Sequence, residues 1–191
     1  TYNYSVTDAN SCGPKTGSIT IGQPTDITLN TPTHPAITCY GGTTTVTMTA
    51  TGGTGTLTYT FNGVSNTTGT FTGIGAGTYN YSVTDANSCG PKTGSITITQ
   101  PDALAITIDS TRNVSCNGGN NGAIYITVTG GVTPYVYEWS NVATSQDITG
   151  ISADEYFVVV TDANNCTATS TTVTITQPLA LSATTSSTNV K

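Results

Sequence analysis

Apolar residues recur at every second position along most of this chain, and short runs of Gly, Asn and Asp interrupt them. That period is the mark of half-buried β-strands joined by tight turns. The pattern is clearest between 102 and 178. Leu104, Ile106 and Ile108 alternate with Ala105 and Thr107, which predicts a first strand. Cys116-Asn117-Gly118-Gly119 turns the chain. Ile124, Ile126 and Val128 then face inward against outward Tyr125, Thr127 and Thr129, and Gly130-Gly131 ends that strand. Tyr135, Tyr137 and Trp139 line the next, and a short strand is expected around 147–151. Tyr156, Val158 and Val160 line a further strand. Asp162-Ala163-Asn164-Asn165 turns into a last strand over 167–175, with Val173 and Ile175 inward. No stretch has helical periodicity.

The same pattern occurs twice. Residues 1–24 and 78–101 differ only at Gly22 against Thr99. Cys12, Cys89 and Cys166 are spaced 89 − 12 = 77 and 166 − 89 = 77, and Cys39 and Cys116 keep the interval. A period of this length is one small domain rather than one turn of a solenoid. The expected organisation is a C-terminal fragment of a repeat at 1–24, complete repeats at 25–101 and 102–178, and an N-terminal fragment at 179–191. The chain then reads as a window of a longer array. Comparing the two complete copies tests the proposed parity. Val46, Met48 and Ala50 stand for Ile124, Ile126 and Val128, and Leu57, Tyr59 and Phe61 stand for Tyr135, Tyr137 and Trp139. The inward set stays apolar while the outward set drifts. Six or seven short strands in this length predict an all-β fold of tandem immunoglobulin-like β-sandwich repeats of 77 residues. Proline in the short linkers, as at Gln100-Pro101, stiffens the joints and predicts an extended rod.

Composition narrows the function. Charged residues are 7% of the chain, four Lys+Arg against ten Asp+Glu, for a net charge of −6. Nucleic-acid binding needs clustered Lys and Arg, so that class is excluded. No apolar run approaches the ~20 residues that span a bilayer, so no membrane insertion is expected in this segment. Threonine makes up about a quarter of the residues. It is a β-branched, soluble strand former.

A domain this small buries roughly 60% of its unfolded surface and is marginal without help. Each complete repeat has one cysteine pair, Cys39/Cys89 and Cys116/Cys166, with 89 − 39 = 50 and 166 − 116 = 50. Disulfides within these pairs would close loops of about 50 residues, stabilise by roughly 4 kcal/mol, and place the protein in an oxidising compartment. The alternatives are buried thiols or a metal site. The pairs lack close metal-ligand spacing, and the only histidine, His34, is not repeated.

The combination of Cys116-Asn117-Gly118-Gly119, Gly130-Gly131, Pro134-Tyr135, Trp139, Tyr156, Val160-Thr161-Asp162-Ala163-Asn164, Cys166 and Gln177-Pro178 resembles the SprB-type repeat of Bacteroidota cell-surface proteins. The 25–101 copy departs from it with Tyr40, Leu57 and Phe61, which keep the core apolar. The resemblance implies an extracellular, cell-surface location and a structural stalk in surface adhesion or gliding motility. It implies no catalytic residues. Two alternative readings stand beside the stalk: a carbohydrate- or surface-binding module acting by avidity, and a self-assembling extracellular fibre subunit.

The candidate chemistry is sparse. With one histidine and no recurring acid pair, no enzyme activity and no cofactor is expected. Asp85-Ala86-Asn87 and Asp162-Ala163-Asn164 offer hard oxygen ligands for calcium, but too few further carboxylates stand near them, and a capped turn is the simpler reading. Tyr40, Tyr125 and Phe157 are the outward aromatics, candidates for contact with a polysaccharide or other extracellular surface, or with neighbouring repeats. Asp109-Ser110-Thr111 resembles an O-glycosylation motif of Bacteroidota, which makes Ser110 a candidate modification site.

Overall fold

The computed structural model describes residues 1–186; the last part of the expected 179–191 fragment, from Ser187 on, lies outside the described residues. The described residues form strands and turns with no α-helix, so none is long and apolar enough to cross a membrane. Two compact units emerge, Thr1–Pro35 with Thr45–Thr97, and Ala36–Thr44 with Ile98–Lys191. The segment Ala36–Thr44 of the first complete sequence repeat thus packs as part of the second unit.

In the first unit the strands are β1 (Tyr2–Val6), β2 (Lys15–Ile19), β3 (Thr28–Leu29), β4 (Thr44–Thr47), β5 (Ala50–Thr51), β6 (Thr58–Phe61), β7 (Val64–Asn66), β8 (Thr70–Ile74), β9 (Gly77–Thr84) and β10 (Lys92–Ile98); the end residues Thr44 and Ile98 are grouped with the second unit. One sheet runs β10-β9-β6-β7, and β3-β5 and β4-β8 pair separately. Val46, Met48, Tyr59, Phe61 and Val83 of the expected inward set are buried and Ala50 and Leu57 are half-buried; Phe71, in a strand that the alternation does not predict, is buried with them. Phe61 packs on Phe71 and Tyr79 with ring centroids 5.4 and 5.2 Å apart. The β1–β2 hairpin has the sequence of β9–β10 without its partners. Val6 is therefore 65% exposed, whereas its counterpart Val83 is fully buried.

In the second unit the strands are β11 (Ala105–Arg112), β12 (Gly122–Thr129), β13 (Val136–Trp139), β14 (Ile148–Ile151), β15 (Asp154–Tyr156), β16 (Val158–Thr161), β17 (Thr167–Thr169) and β18 (Val173–Ile175). One sheet runs β11-β12-β14 and the other β13-β16-β17, with β15-β18 as a short extension. This is the immunoglobulin arrangement, with the unit's first, second and fourth strands in one sheet, β14 taking the place of the immunoglobulin E strand, and its third, sixth and seventh in the other. Ile124, Ile126, Trp139, Val158, Val160 and Ile175 meet between them in one core. Two details match that fold. Trp139 is buried on the third strand, its indole N–H donating to the Ser145 carbonyl at 2.9 Å. Tyr156, at the corner before the sixth strand, donates its hydroxyl to the Ser152 carbonyl at 3.1 Å, and Tyr79 does the same to Gly75 at 3.2 Å in the first unit.

The expected continuous strands over 156–160 and 167–175 are each broken. Ser170 is the cause. Its hydroxyl accepts from the Val158 N–H at 3.0 Å while its own N–H donates to the Val158 carbonyl at 2.9 Å. A side chain takes a ladder position, and the pairing resumes as β15–β18.

Candidate functional site: the cysteine turns

Two kinds of turn carry the cysteines. In the first kind, an aspartate opens the turn and the cysteine closes it. After β16, Asp162 is buried, and its Oδ1 accepts from the N–H groups of Asn164 (2.8 Å) and Cys166 (2.9 Å). Its Oδ2 reaches across to the Val132 N–H at 2.9 Å. Asn165 takes a left-handed φ of 63°, a conformation that Asn tolerates, and its N–H returns to the Asp162 carbonyl at 3.0 Å. The neighbouring Gly130-Gly131 turn has to be glycine. Both residues have left-handed φ, and a Cβ on Gly130 would overlap the Ala103 carbonyl oxygen. These contacts clamp the start of the repeat against the Cys166 turn. In the first unit, Asp85 holds the Asn87 and Cys89 N–H groups through Oδ1 and the Thr54 N–H through Oδ2. Asp8 holds those of Asn10 and Cys12.

In the second kind, the cysteine opens a Cys-x-Gly-Gly turn. Gly42 N–H donates to the Cys39 carbonyl and Gly119 N–H to the Cys116 carbonyl, each at 3.0 Å. The turn is pinned from outside by a glutamine. The Gln100 side-chain carbonyl accepts from Gly41 N–H at 2.9 Å, and that of Gln177 accepts from Gly118 N–H at 2.7 Å.

The structure joins one turn of each kind. Cys39 is bonded to Cys166 with Cα atoms 5.8 Å apart, inside the usual disulfide range. Both cysteines belong to the second unit, although they come from different sequence repeats. Asn164 supports the junction by donating its side-chain amide to the Thr38 carbonyl at 2.9 Å. A cleft of about 410 Å³ beside the bond is lined by Tyr40, Pro101, Leu104 and Asp162 among others.

This replaces the expected pairs Cys39/Cys89 and Cys116/Cys166. Cys89 and Cys116 are exposed thiols, as is Cys12. The reason is where the turns sit in the second unit. The Cys166 turn lies against the start of its repeat, where Gly131 N–H meets the Asp102 carbonyl. The Cys116 turn lies against the end of that repeat, where Asn117 donates to the Pro178 carbonyl at 3.0 Å. Between them runs β11, eight residues or roughly 26 Å long at ~3.3 Å per residue, far beyond disulfide reach.

Electrostatics follow from the turns. For Asp162, burial alone would raise the carboxyl pKa, but the N–H groups of Cys166, Val132 and Asn164 outweigh it and hold it below the ordinary value. Asp85 is held low first by the Cys89 N–H, then by Thr54, against the opposing effect of burial, with Asn87 adding to the lowering. Asp26 is held low chiefly by its 2.7 Å bond to the Lys92 ammonium. The residues weighed as calcium ligands thus spend both oxygens of each aspartate on backbone N–H groups. Among the described residues no group of three or more His, Cys, Asp or Glu is placed to hold a metal.

Of the outward aromatics, Tyr40, Tyr125 and Phe157 are all exposed, and Tyr40 lines the cleft beside the disulfide. Ser110 is exposed at a bulge in β11, next to Asp109, which accepts from the Thr127 hydroxyl at 2.7 Å.

No curated protein matches the chain in sequence. Among solved structures, it is similar to three N-terminal domains of the Highly Immunogenic Outer Capsid protein of bacteriophage RB49, at 21% identity and a TM-score of 0.41 over 79% of this chain and 58% of that one. It is similar to a C-terminal 282-residue fragment of intimin, solved with the intimin-binding domain of its translocated receptor, at 18% identity and a TM-score of 0.41 over 82% of this chain and 64% of that one. It is also similar to the Bacteroides ovatus protein SGBP-B, solved with a mixed-linkage heptasaccharide, at 17% identity and a TM-score of 0.27 over 82% of this chain and 48% of that one. The chain therefore spans less than two thirds of the length of each. The sequence model of the SprB repeat matches residues 108–144, which run from β11 through the Cys116 turn to the Trp139 core strand, and the chain carries a SprB repeat at that place.

Proposed function

We propose that this chain is a stalk segment of a secreted cell-surface adhesin, in which the repeats space and connect rather than catalyse or bind. The observation that carries this reading is the Cys39–Cys166 bond, which ties one sequence repeat covalently to the next. A chain that must transmit tension gains from a bond that survives when noncovalent packing gives way. Support comes also from the SprB repeat at 108–144 and from aspartates committed to holding turns. Surface adhesion and gliding are the settings in which such a stalk works.

The test is binding of the folded, oxidised chain to an array of polysaccharides, with a reduced sample beside it. A stalk shows no saturable binding in either state. Saturable binding that survives high salt and is lost on reduction would overturn the stalk reading and make the repeats themselves adhesive, with avidity as the mechanism.

A further inference from the structure

Cys89 and Cys116 are the period-equivalents of the two halves of the bond already formed. Adding 77 to Cys39 gives Cys116, and subtracting 77 from Cys166 gives Cys89. The equivalence extends to the surroundings. Cys116 sits in a turn closed by Gly119 N–H and pinned by Gln177, as Cys39 sits in one closed by Gly42 N–H and pinned by Gln100. Cys89 is held by Asp85 Oδ1 at 2.9 Å, as Cys166 is held by Asp162 Oδ1 at 2.9 Å. Asn87 stands where Asn164 reaches Thr38, and Ser115 stands where Thr38 offers its carbonyl.

The clefts correspond too. Pro101, Asp102, Ala103, Leu104 and Asp162 beside Cys166 are matched by Pro24, Thr25, Asp26, Ile27 and Asp85 beside Cys89, around a cleft of about 280 Å³. At the other end, Cys116 and Asn117 lie with Pro178 and Leu179 beside a second cleft of about 410 Å³. Both thiols are exposed.

We propose that Cys116 of one copy of this chain and Cys89 of a second copy form a head-to-tail disulfide of the same geometry as Cys39–Cys166, so that the isolated chain assembles covalently through its repeat ends. The contact is heterologous, one kind of turn meeting the other, so it propagates unless the copies close into a ring. The chemistry is thiol–disulfide exchange with a small-molecule disulfide as oxidant. One protein thiolate attacks the oxidant, giving a mixed disulfide and one released small thiol. The partner thiolate then attacks the protein sulfur of that mixed disulfide and releases the second small thiol. The two protein cysteines are oxidised, the oxidant is reduced to two thiols, and the two protein protons pass to water or to the leaving thiolates.

The experiment mixes reduced ¹⁵N-labelled and unlabelled chain in an oxidised/reduced glutathione buffer and resolves the products under non-reducing conditions, with mass mapping of the cross-linked peptides. The expected result is a ladder of oligomers in which Cys116–Cys89 links join labelled to unlabelled peptide. These links should exceed like-with-like links and links to Cys12 by about tenfold or more, the excess that about 1.4 kcal/mol of docking preference gives. Cys116→Ser and Cys89→Ser should each stop the ladder at dimers or below while the Cys39–Cys166 peptide still forms, and Cys12→Ser should leave it intact. Retention of the Cys39–Cys166 peptide shows that the second unit is folded, and a far-ultraviolet spectrum of the whole chain unchanged from that of the unsubstituted protein shows that the first is folded as well. Monomer carrying glutathione on Cys89 and Cys116, statistical linkage among all three free thiols, or Cys89–Cys116 links confined to one isotope would each overturn the proposal.

Discussion

Stretching single molecules by residues 1 and 191 reads the disulfide connectivity directly. Force applied to the ends passes through the bond, so the residues between Cys39 and Cys166 stay slack when everything else has unfolded. The sequence separation is 127. At up to ~3.6 Å per extended residue, the bond withholds about 450 Å of contour length. Adding a reductant during extension should therefore release one step of about 450 Å. The alternative pairs, Cys39/Cys89 and Cys116/Cys166, would each withhold 50 residues, or about 180 Å, and would release two such steps. Single tethered molecules cannot cross-link to one another, so all five cysteines stay in place and compete freely. Cys39→Ser should abolish the large step. Two steps of about 180 Å in the unsubstituted chain would refute the connectivity and with it the argument from turn position.

Other consequences are within reach of ordinary unfolding experiments. Trp139 is the sole tryptophan and is buried in the second unit, so its fluorescence follows that unit alone; Trp139→Ala should cost about 3–5 kcal/mol in urea unfolding read by circular dichroism, and Trp139→Phe much less, since Phe61 fills the equivalent place in the first unit. Gly130→Ala should destabilise the second unit by more than Gly118→Ala; both carry left-handed φ, worth about 1–2 kcal/mol to any Cβ, but only at Gly130 does the Cβ also strike backbone. The folded pKa values of Asp85 and Asp162 lie below their unfolded values. The stability they supply is thus complete above the ordinary carboxylate value of about 3.9 and is lost as the pH falls through the lower folded value. An acid titration followed by Trp139 fluorescence should show the Asp162 part of this loss, and circular dichroism the loss from both units; Asp162→Asn should be less stable at neutral pH and should lose less on acidification.

The period-2 alternation made the faces of the strands legible. Val46, Met48, Phe61, Ile124, Ile126, Trp139, Val158 and Val160 were readable as core because they recur at every second position and the matching positions of both repeats stay apolar, and all are buried. The breaks in the strands were not readable, because Ser170 replaces a ladder bond with a hydroxyl that no pattern of polarity distinguishes from a solvent-facing serine. Exposure itself is not a property of the local sequence. The Tyr-Asn-Tyr-Ser-Val run exposes its valine as Val6 and buries it as Val83, because only the second run has β6 beside it.

The cysteine pairing was hidden for a different reason. The five cysteines offer two pairs spaced 50 within a repeat, and across repeats two pairs spaced 116 − 89 = 39 − 12 = 27 and one spaced 127, and which one bonds depends on the ends of the sandwich at which the turns lie. That is decided by how many times the chain traverses the domain between them. In the second unit β12 runs antiparallel to both β11 and β14, and β13 runs antiparallel to β16. From the turn that joins β12 to β13, these pairings make β13 and β14 run the same way. They are two parts of a single traverse, joined where residues 140–147 cross between sheets. The crossing is held by the Asp147 carboxylate accepting from Ile126 N–H at 2.9 Å and by Gln146 donating to the Ile126 carbonyl at 2.7 Å. These are bonds from polar side chains in a stretch with no alternation. Counting each strand as a reversal adds one traverse and brings Cys116 and Cys166 falsely to one end. Counting β13 and β14 as one traverse sends them to opposite ends, where each can meet only a cysteine of another repeat. The immunoglobulin topology contains this answer, since its first and sixth turns lie at opposite ends of the sandwich.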